Sequence, residues 1–247
     1  MVYSDKSLQV AKLADAYRLL PPLTDQQQRH QREVDRLALT WSSTALAGNQ
    51  LTLEETRRVL TEDIAVGGKP LSHHVEILGH SEAFNMLYLL ARLEGLESTH
   101  VCALHQLYSY RLDAEHAGKF RTDHLTISET SFMPPSPAEI PTALNALIDQ
   151  SEQQRQQNPP LVYAAWLHNQ CMAIHPFATA NDIVARLLLN LALLQCGYPM
   201  AVIAPQQRDA YLSALRAAHN GDHQPFINLL SHQLVIALEK RLHQASS

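Results

Sequence analysis

The chain has 247 residues, 46% of them hydrophobic, and a formal net charge of −5. That is enough apolar material for one substantial core. With no Lys/Arg run it lacks the positive footprint needed to track a nucleic-acid backbone or an anionic membrane surface, so nucleic acid is not the expected partner. The N-terminal MVYSDKSLQV has no apolar signal core, and secretion is not expected. The most apolar window, Val184 to Ala204, is broken by Arg186, Asn190, Gln195, Gly197 and Pro199, the pattern of a buried helix with its exit turn and not of a membrane span. Cys102, Cys171 and Cys196 are odd in number and form no C-x-x-C, which reads as free thiols in a reducing, cytoplasmic setting.

Taken in order, the apolar spacing predicts a helix over Leu8 to Leu20 ending at Pro21-Pro22, then a second helix capped by Thr24. Gly48-Asn49 stops the helical stretch that contains Trp41 to Ala47, and Thr52 with Glu55 has the form of a capping box. Gly67-Gly68-Lys69-Pro70 reads as a loop, Val75 to Leu96 as a helix closing near Gly95, and Ser98 or Thr99 as the start of another that runs towards Gly118. From Lys119 to Pro137 the helical period is lost and β-branched residues alternate with polar ones, so a short β-hairpin is expected. Ser136-Pro137-Ala138-Glu139 is a second capping box with proline at the first helical position. Leu161 to Ile174 and Ile183 to Leu194 are apolar enough to be central helices, and two amphipathic helices, near Gln207 to Asn220 and Pro225 to His243, finish the chain. The expected fold is mainly α, a single-domain helical bundle with one small hairpin. Residues 1–40 are read as an N-terminal helical cap and 41–247 as the main domain.

Between the two central helices lies HPFATANDIVAR, His175 to Arg186. His175-Pro176 ends the preceding helix, and the next helix begins after it. A helix N-terminus presents unpaired N–H groups and partial positive charge suited to an anion such as a phosphate. With Asn181 as N-cap, Asp182 falls in the first turn, where a carboxylate stabilises the helix. A displaced metal-ligand role for Asp182 is the other reading. His168 and His175 have no third ligand at a fixed short spacing, so a histidine metal centre is not expected.

These twelve residues resemble the Fic (Fido) motif H-P-F-x-[D/E]-G-N-G-R-x-x-R. LVYAAWLHNQCMAIHPF and RLLLNLALLQCGYPMAVI resemble that family's two core helices, and AGKFR with PPSPAEIP resembles the borders of its target-binding flap. SSTALAGNQLTLEE resembles the inhibitory motif [S/T]-x-x-x-E-[G/N] of the class whose inhibitory helix precedes the core. The resemblance implies a Fic-like helical bundle that transfers AMP from ATP, with Mg²⁺, onto a Ser, Thr or Tyr hydroxyl of a target protein. A homodimer is compatible with it. It implies that His175 is the base, that Asn181 and Arg186 contact phosphate, that Phe177 anchors the loop, and that Thr126, Ile127 and Ser128 belong to the flap. Thr179, Ala180, Asp182 and Ile183 stand where the family has its metal-holding carboxylate, two glycines and first arginine. Among the inhibitory-motif positions Ser43, Ala47, Gly48 and Asn49, Ala47 replaces the glutamate, so Arg186 is expected to lack that partner. The implied function is protein adenylylation that is weak, altered or lost. The alternative is a non-catalytic module that binds a nucleotide or a protein on the same fold.

Overall fold

The computed structural model describes residues 5–62, 65–93, 95–127 and 132–245. Its first helix, α1 (Asp5–Arg18), is followed by α2 (Asp25–Leu46). Thr24 caps α2 reciprocally with Gln27, satisfying two donors that the first helical turn leaves over. The second helix runs unbroken past residue 40 and ends before Gly48, whose φ of 110° makes the turn. Thr52 and Glu55 then form the capping box read from the sequence, with Thr52 N donating to Glu55 at 2.8 Å and Glu55 N to Thr52 at 3.2 Å. They open α3 (Leu53–Glu62).

Next come α4 (Leu71–Leu90) and α5 (Ser98–Ser109). The fourth helix begins four residues before the expected Val75 and stops short of Leu96. Pro70 sets its start, and Leu93, which continues the apolar period beyond the end, is 46% exposed. At Gly79 a β-carbon would lie 2.3 Å from the Tyr108 carbonyl oxygen. Only glycine lets α4 and α5 approach this closely.

Ser136 and Glu139 cap a single 3₁₀ turn that leads into α6 (Ile140–Gln157), and α7 (Pro160–Ile174) and α8 (Asn181–Gln195) follow. Twelve of the fifteen residues of α8 are buried, as expected for a helix that is apolar on all sides and central to the core. It packs along α7 and also touches α4, α5 and α2. The chain ends with α9 (Arg208–His219) and α10 (Gln224–Ala245). The first helix lies on α10, burying Val10 and Ala14 and pairing the Ser7 and Ser231 hydroxyls at 3.2 Å.

The β-hairpin is absent from the described residues. The chain from 119 to 127 and from 132 to 136 carries neither helix nor strand. Ser128, one of the expected flap residues, lies outside the described residues. Alternation favours a strand only where another edge is present to satisfy its N–H and C=O groups.

Candidate active site

The stretch from His175 to Ala180 is a tight loop between two helix ends, and both of its end residues are left-handed. His175 closes α7 at φ 46°, ψ 63°, and Ala180 precedes α8 at φ 58°, ψ 19°. A side chain with a β-carbon costs about 1–2 kcal/mol in this conformation, so other contacts must hold the loop. They are specific. The Phe177 N–H donates to Asn181 Oδ1 at 2.9 Å, and Asn181 Nδ2 donates back to the Phe177 carbonyl at 2.8 Å. The Phe177 ring is fully buried and stacks on His105, with centroids 3.9 Å apart and planes 6° from parallel. His105 Nδ1 accepts the Gly118 N–H at 2.9 Å and its Nε2 lies 3.1 Å from the Ser109 hydroxyl. Burial lowers the His105 pKa to about 4, so the prop under the loop is uncharged.

The flap's first residues grip the same loop. Arg121, 4% exposed, donates Nε to the His175 carbonyl at 2.8 Å, Nη1 to the Asp123 carbonyl at 2.9 Å and Nη2 to the Pro135 carbonyl at 2.5 Å. Its backbone N–H donates to the Pro176 carbonyl at 3.0 Å. Both borders of the flap and the start of the loop thus meet on one guanidinium. Burial lowers its pKa.

Arg186 is the other buried guanidinium. One turn inside α8 and 2% exposed, it donates Nε to the Ser43 hydroxyl at 2.9 Å and Nη2 to the Ser43 carbonyl at 2.9 Å. Nη2 also reaches Asp182 Oδ2 at 3.0 Å, and Nη1 donates to the Tyr211 hydroxyl at 3.1 Å. Because arginine only donates, the Tyr211 hydroxyl accepts there and passes its own proton towards His168 Nε2 at 3.0 Å. His168 Nδ1 must then donate to Asn169 Oδ1 at 3.0 Å, and Asn169 Nδ2 to His223 Nδ1 at 3.3 Å. Full burial holds the His168 pKa down at about 3 and keeps it neutral. His80, on the α4 side, is also pushed to about 3 by burial and the nearby Arg186 charge, and bonds Thr40 at 3.0 Å.

His175 itself is partly buried. Burial lowers its pKa to about 4; the Met172 carbonyl opposes this shift, while His219 and Arg121 add to it. Its Nδ1 is buried with no hydrogen-bond partner among the described residues. The His219 ring lies 6.2 Å away, centroid to centroid, and stacks flat on Phe132 of the flap at 4.5 Å.

The structure gathers some of the sequence candidates and separates others. His175, Thr179, Ala180, Asn181, Asp182 and Arg186 lie along one loop and helix start, with Thr179 exposed. Asn181 is not the cap but the first helical residue: the cap position belongs to Ala180, and the Asn181 amide is turned back on Phe177. Ile183 is 1% exposed and packs in the main core. From α2, Ser43 joins the cluster on Arg186, whereas Ala47 is exposed, Gly48 makes the turn, and Asn49 bonds the His73 carbonyl and Glu76 at 2.9 and 2.7 Å. Arg186 is not left without a carboxylate, since Asp182 supplies one. Thr126 and Ile127 lie in the irregular chain of the flap. Local patterns gave no sign of Arg121, His105 and Tyr211, which reach the loop or Arg186 from distant parts of the chain; the only hint was an arginine directly after Phe120.

A divalent cation does not fit the residues present. Thr179 offers a neutral hydroxyl, and the nearby carboxylate of Asp182 is committed to Arg186, whereas Mg²⁺ is held through carboxylates and phosphate oxygens.

The Fic/DOC family model matches residues 95–193. Protein adenylyltransferase Fic of Drosophila willistoni is 33% identical over 195 residues, covering 77% of this chain and 38% of that protein. The chain thus spans about two fifths of the length of such curated relatives. A Fic domain containing signaling protein from Bacteroides thetaiotaomicron superposes with a TM-score of 0.88 at 26% identity, over 96% of this chain and 97% of that one. Fic-1 from C. elegans shares the fold, with a TM-score of 0.88 at 24% identity, over 97% of this chain and 72% of that one. With the clamped His175 loop set between two central helices, these likenesses show that the chain carries a Fic/DOC domain.

Proposed function

We propose that this protein is a Fic-type adenylyltransferase scaffold with weakened activity, acting on a hydroxyl of a target protein with ATP as donor. The observation that carries this reading is the placement of His175. It is neutral at physiological pH, its Nδ1 is buried, and its backbone is pinned by Arg121 at the head of the anion-facing loop. In the step proposed, His175 Nε2 takes the proton of the target hydroxyl, whose oxygen forms a bond to the α-phosphorus as the bond from that phosphorus to the β-phosphate bridging oxygen breaks. Pyrophosphate leaves. General base action of this kind contributes about 10²–10⁴-fold, and a base held near pH 4 works at the low end. The irregular chain with Thr126 and Ile127 is the segment that the family resemblance assigns to meeting a target polypeptide. The three free thiols favour a reducing, cytoplasmic setting, and among the described residues no helix is long and apolar enough to cross a membrane.

The occupied state of Arg186 favours a second reading, in which the fold holds a protein or small anion without chemistry. Incubation with labelled ATP and candidate target proteins separates the two. The first reading expects slow label transfer that His175→Ala abolishes. Transfer that survives in a folded His175→Ala protein removes the base from His175, and absence of transfer in the parent with retained target binding supports the second reading.

A further inference from the structure

Asp182 is the outward half of a buried pair. Its side chain is 32% exposed and that of Arg186 only 3%, with the two joined at 3.0 Å one helical turn apart. Arg186 also gives three hydrogen bonds to Ser43 and Tyr211, so four of its five N–H donors are engaged inside the protein. An anion approaching the loop therefore meets a carboxylate before it meets the guanidinium. What remains to receive negative charge is the backbone of the loop and the first turn of α8, with His175 uncharged beside it and Ile183 sunk in the core. The neighbouring exposed side chain, Thr179, carries no charge. The repulsion from Asp182 grows along the series AMP, ADP, ATP, because each further phosphate adds negative charge to the anion that faces it.

We infer that Asp182 is the specificity-determining residue of this loop, and that it sets the ligand class to a single phosphate group, as in a phosphate monoester, in place of a polyphosphate. This rests on the proposed nucleotide-handling role of the loop and refines it: the donor ATP is bound poorly because Asp182 discriminates against its distal phosphates. It also ties the discrimination to α2, since Ser43 holds Arg186 in the orientation that lets Asp182 reach it.

The test is calorimetric titration of the full chain with AMP, ADP, ATP and inorganic tripolyphosphate, each without metal, repeated on Asp182→Asn. The parent is expected to bind AMP more tightly than ATP. In Asp182→Asn, ATP and tripolyphosphate should gain about tenfold while AMP changes less than about threefold. Should the asparagine variant fail to fold around an unpaired Arg186, Asp182→Asn with Arg186→Gln keeps the interior neutral. There the ATP-to-AMP affinity ratio should still rise by about threefold, a smaller gain because the cation is lost as well. An ATP-to-AMP ratio unchanged by loss of the carboxylate overturns the assignment of Asp182 while leaving the nucleotide site standing. Failure of all four probes to bind any variant overturns the nucleotide reading itself, and the inference with it.

Discussion

The two buried arginines of this fold have similar surroundings in one respect and opposite ones in another. Each is almost sealed from solvent, and each joins segments far apart in sequence. Arg186 faces a carboxylate, a hydroxyl pair and a carbonyl, and its charge is balanced within 3.0 Å. Arg121 binds three carbonyl oxygens and no carboxylate among its side-chain hydrogen bonds. The first arrangement closes a junction between helices. The second fastens irregular chain, using guanidinium planarity to collect carbonyls that neither helix nor sheet would satisfy. One residue type thus makes a neutral lock at the α2–α8 contact and a cationic clasp at the base of the flap.

The largest expected effect is on the buried histidines around the lock and under the loop, through pH. His80 and His168 are held at about 3 and His105 at about 4, against an ordinary value of 6.5. Their neutral forms are the folded forms, so their contribution is complete above pH 6.5 and declines as pH falls. Below that the unfolded chain takes up protons that the folded protein refuses, and each group withdraws about 1.4 kcal/mol per pH unit until its own folded pKa is reached. One unit below pH 6 then removes roughly 4 kcal/mol, a large share of a typical domain's stability. Circular dichroism should show acid unfolding between pH 6 and 4. His168→Gln should lessen the dependence of stability on pH by about one proton; an unaltered slope would mean that His168 is not the neutral acceptor for Tyr211.

A smaller effect is expected at the clasp. Arg121→Ala leaves the His175, Asp123 and Pro135 carbonyls without their shared donor and should destabilise the protein by about 3 kcal/mol in urea denaturation. Arg121→Lys should recover less than half, because one ammonium cannot serve three carbonyls spread around a planar fork. Full recovery by lysine would show that charge, and not geometry, matters there.

The helices, three of their caps and the position of the loop were legible because they depend on neighbours within a few residues: Thr24 with Gln27, Thr52 with Glu55, Ser136 with Glu139. The cap of α8 was not, since Asn181 turns its amide back on Phe177 and leaves that position to Ala180. The pairing of Asp182 with Arg186 was also within reach, being an i,i+4 spacing on a helix, but the carboxylate was read for its effect on the helix end. Ser43 lies 143 residues from Arg186, and no local pattern announces such a contact. The expected hairpin does not appear among the described residues, and 128–131, in the middle of that stretch, lie outside them. Its alternation was real, but alternation specifies a face and does not create a partner strand.

The smallest effect sharpens the account of the loop. Ala180→Gly relieves a β-carbon in left-handed backbone, though it frees the unfolded chain as well, and should raise stability by about 0.5–1 kcal/mol in thermal melts. A loss would mean that the Ala180 methyl packs against the core by more than its strain.

The reciprocal bond between Phe177 and Asn181, with His105 stacked beneath, has a consequence for ancestry and for engineering. The loop takes its shape from these residues and from the carbonyls gripped by Arg121, while the side chains at 179 and 182 stand outside that set. Substitutions at 179 can therefore accumulate without unmaking the scaffold, whereas one at 182 also has to settle the charge of the buried Arg186. The same division marks the loop as a place where new anion chemistry can be installed by changing residue 179, and residue 182 together with its partner Arg186, with the rest of the chain left as it is.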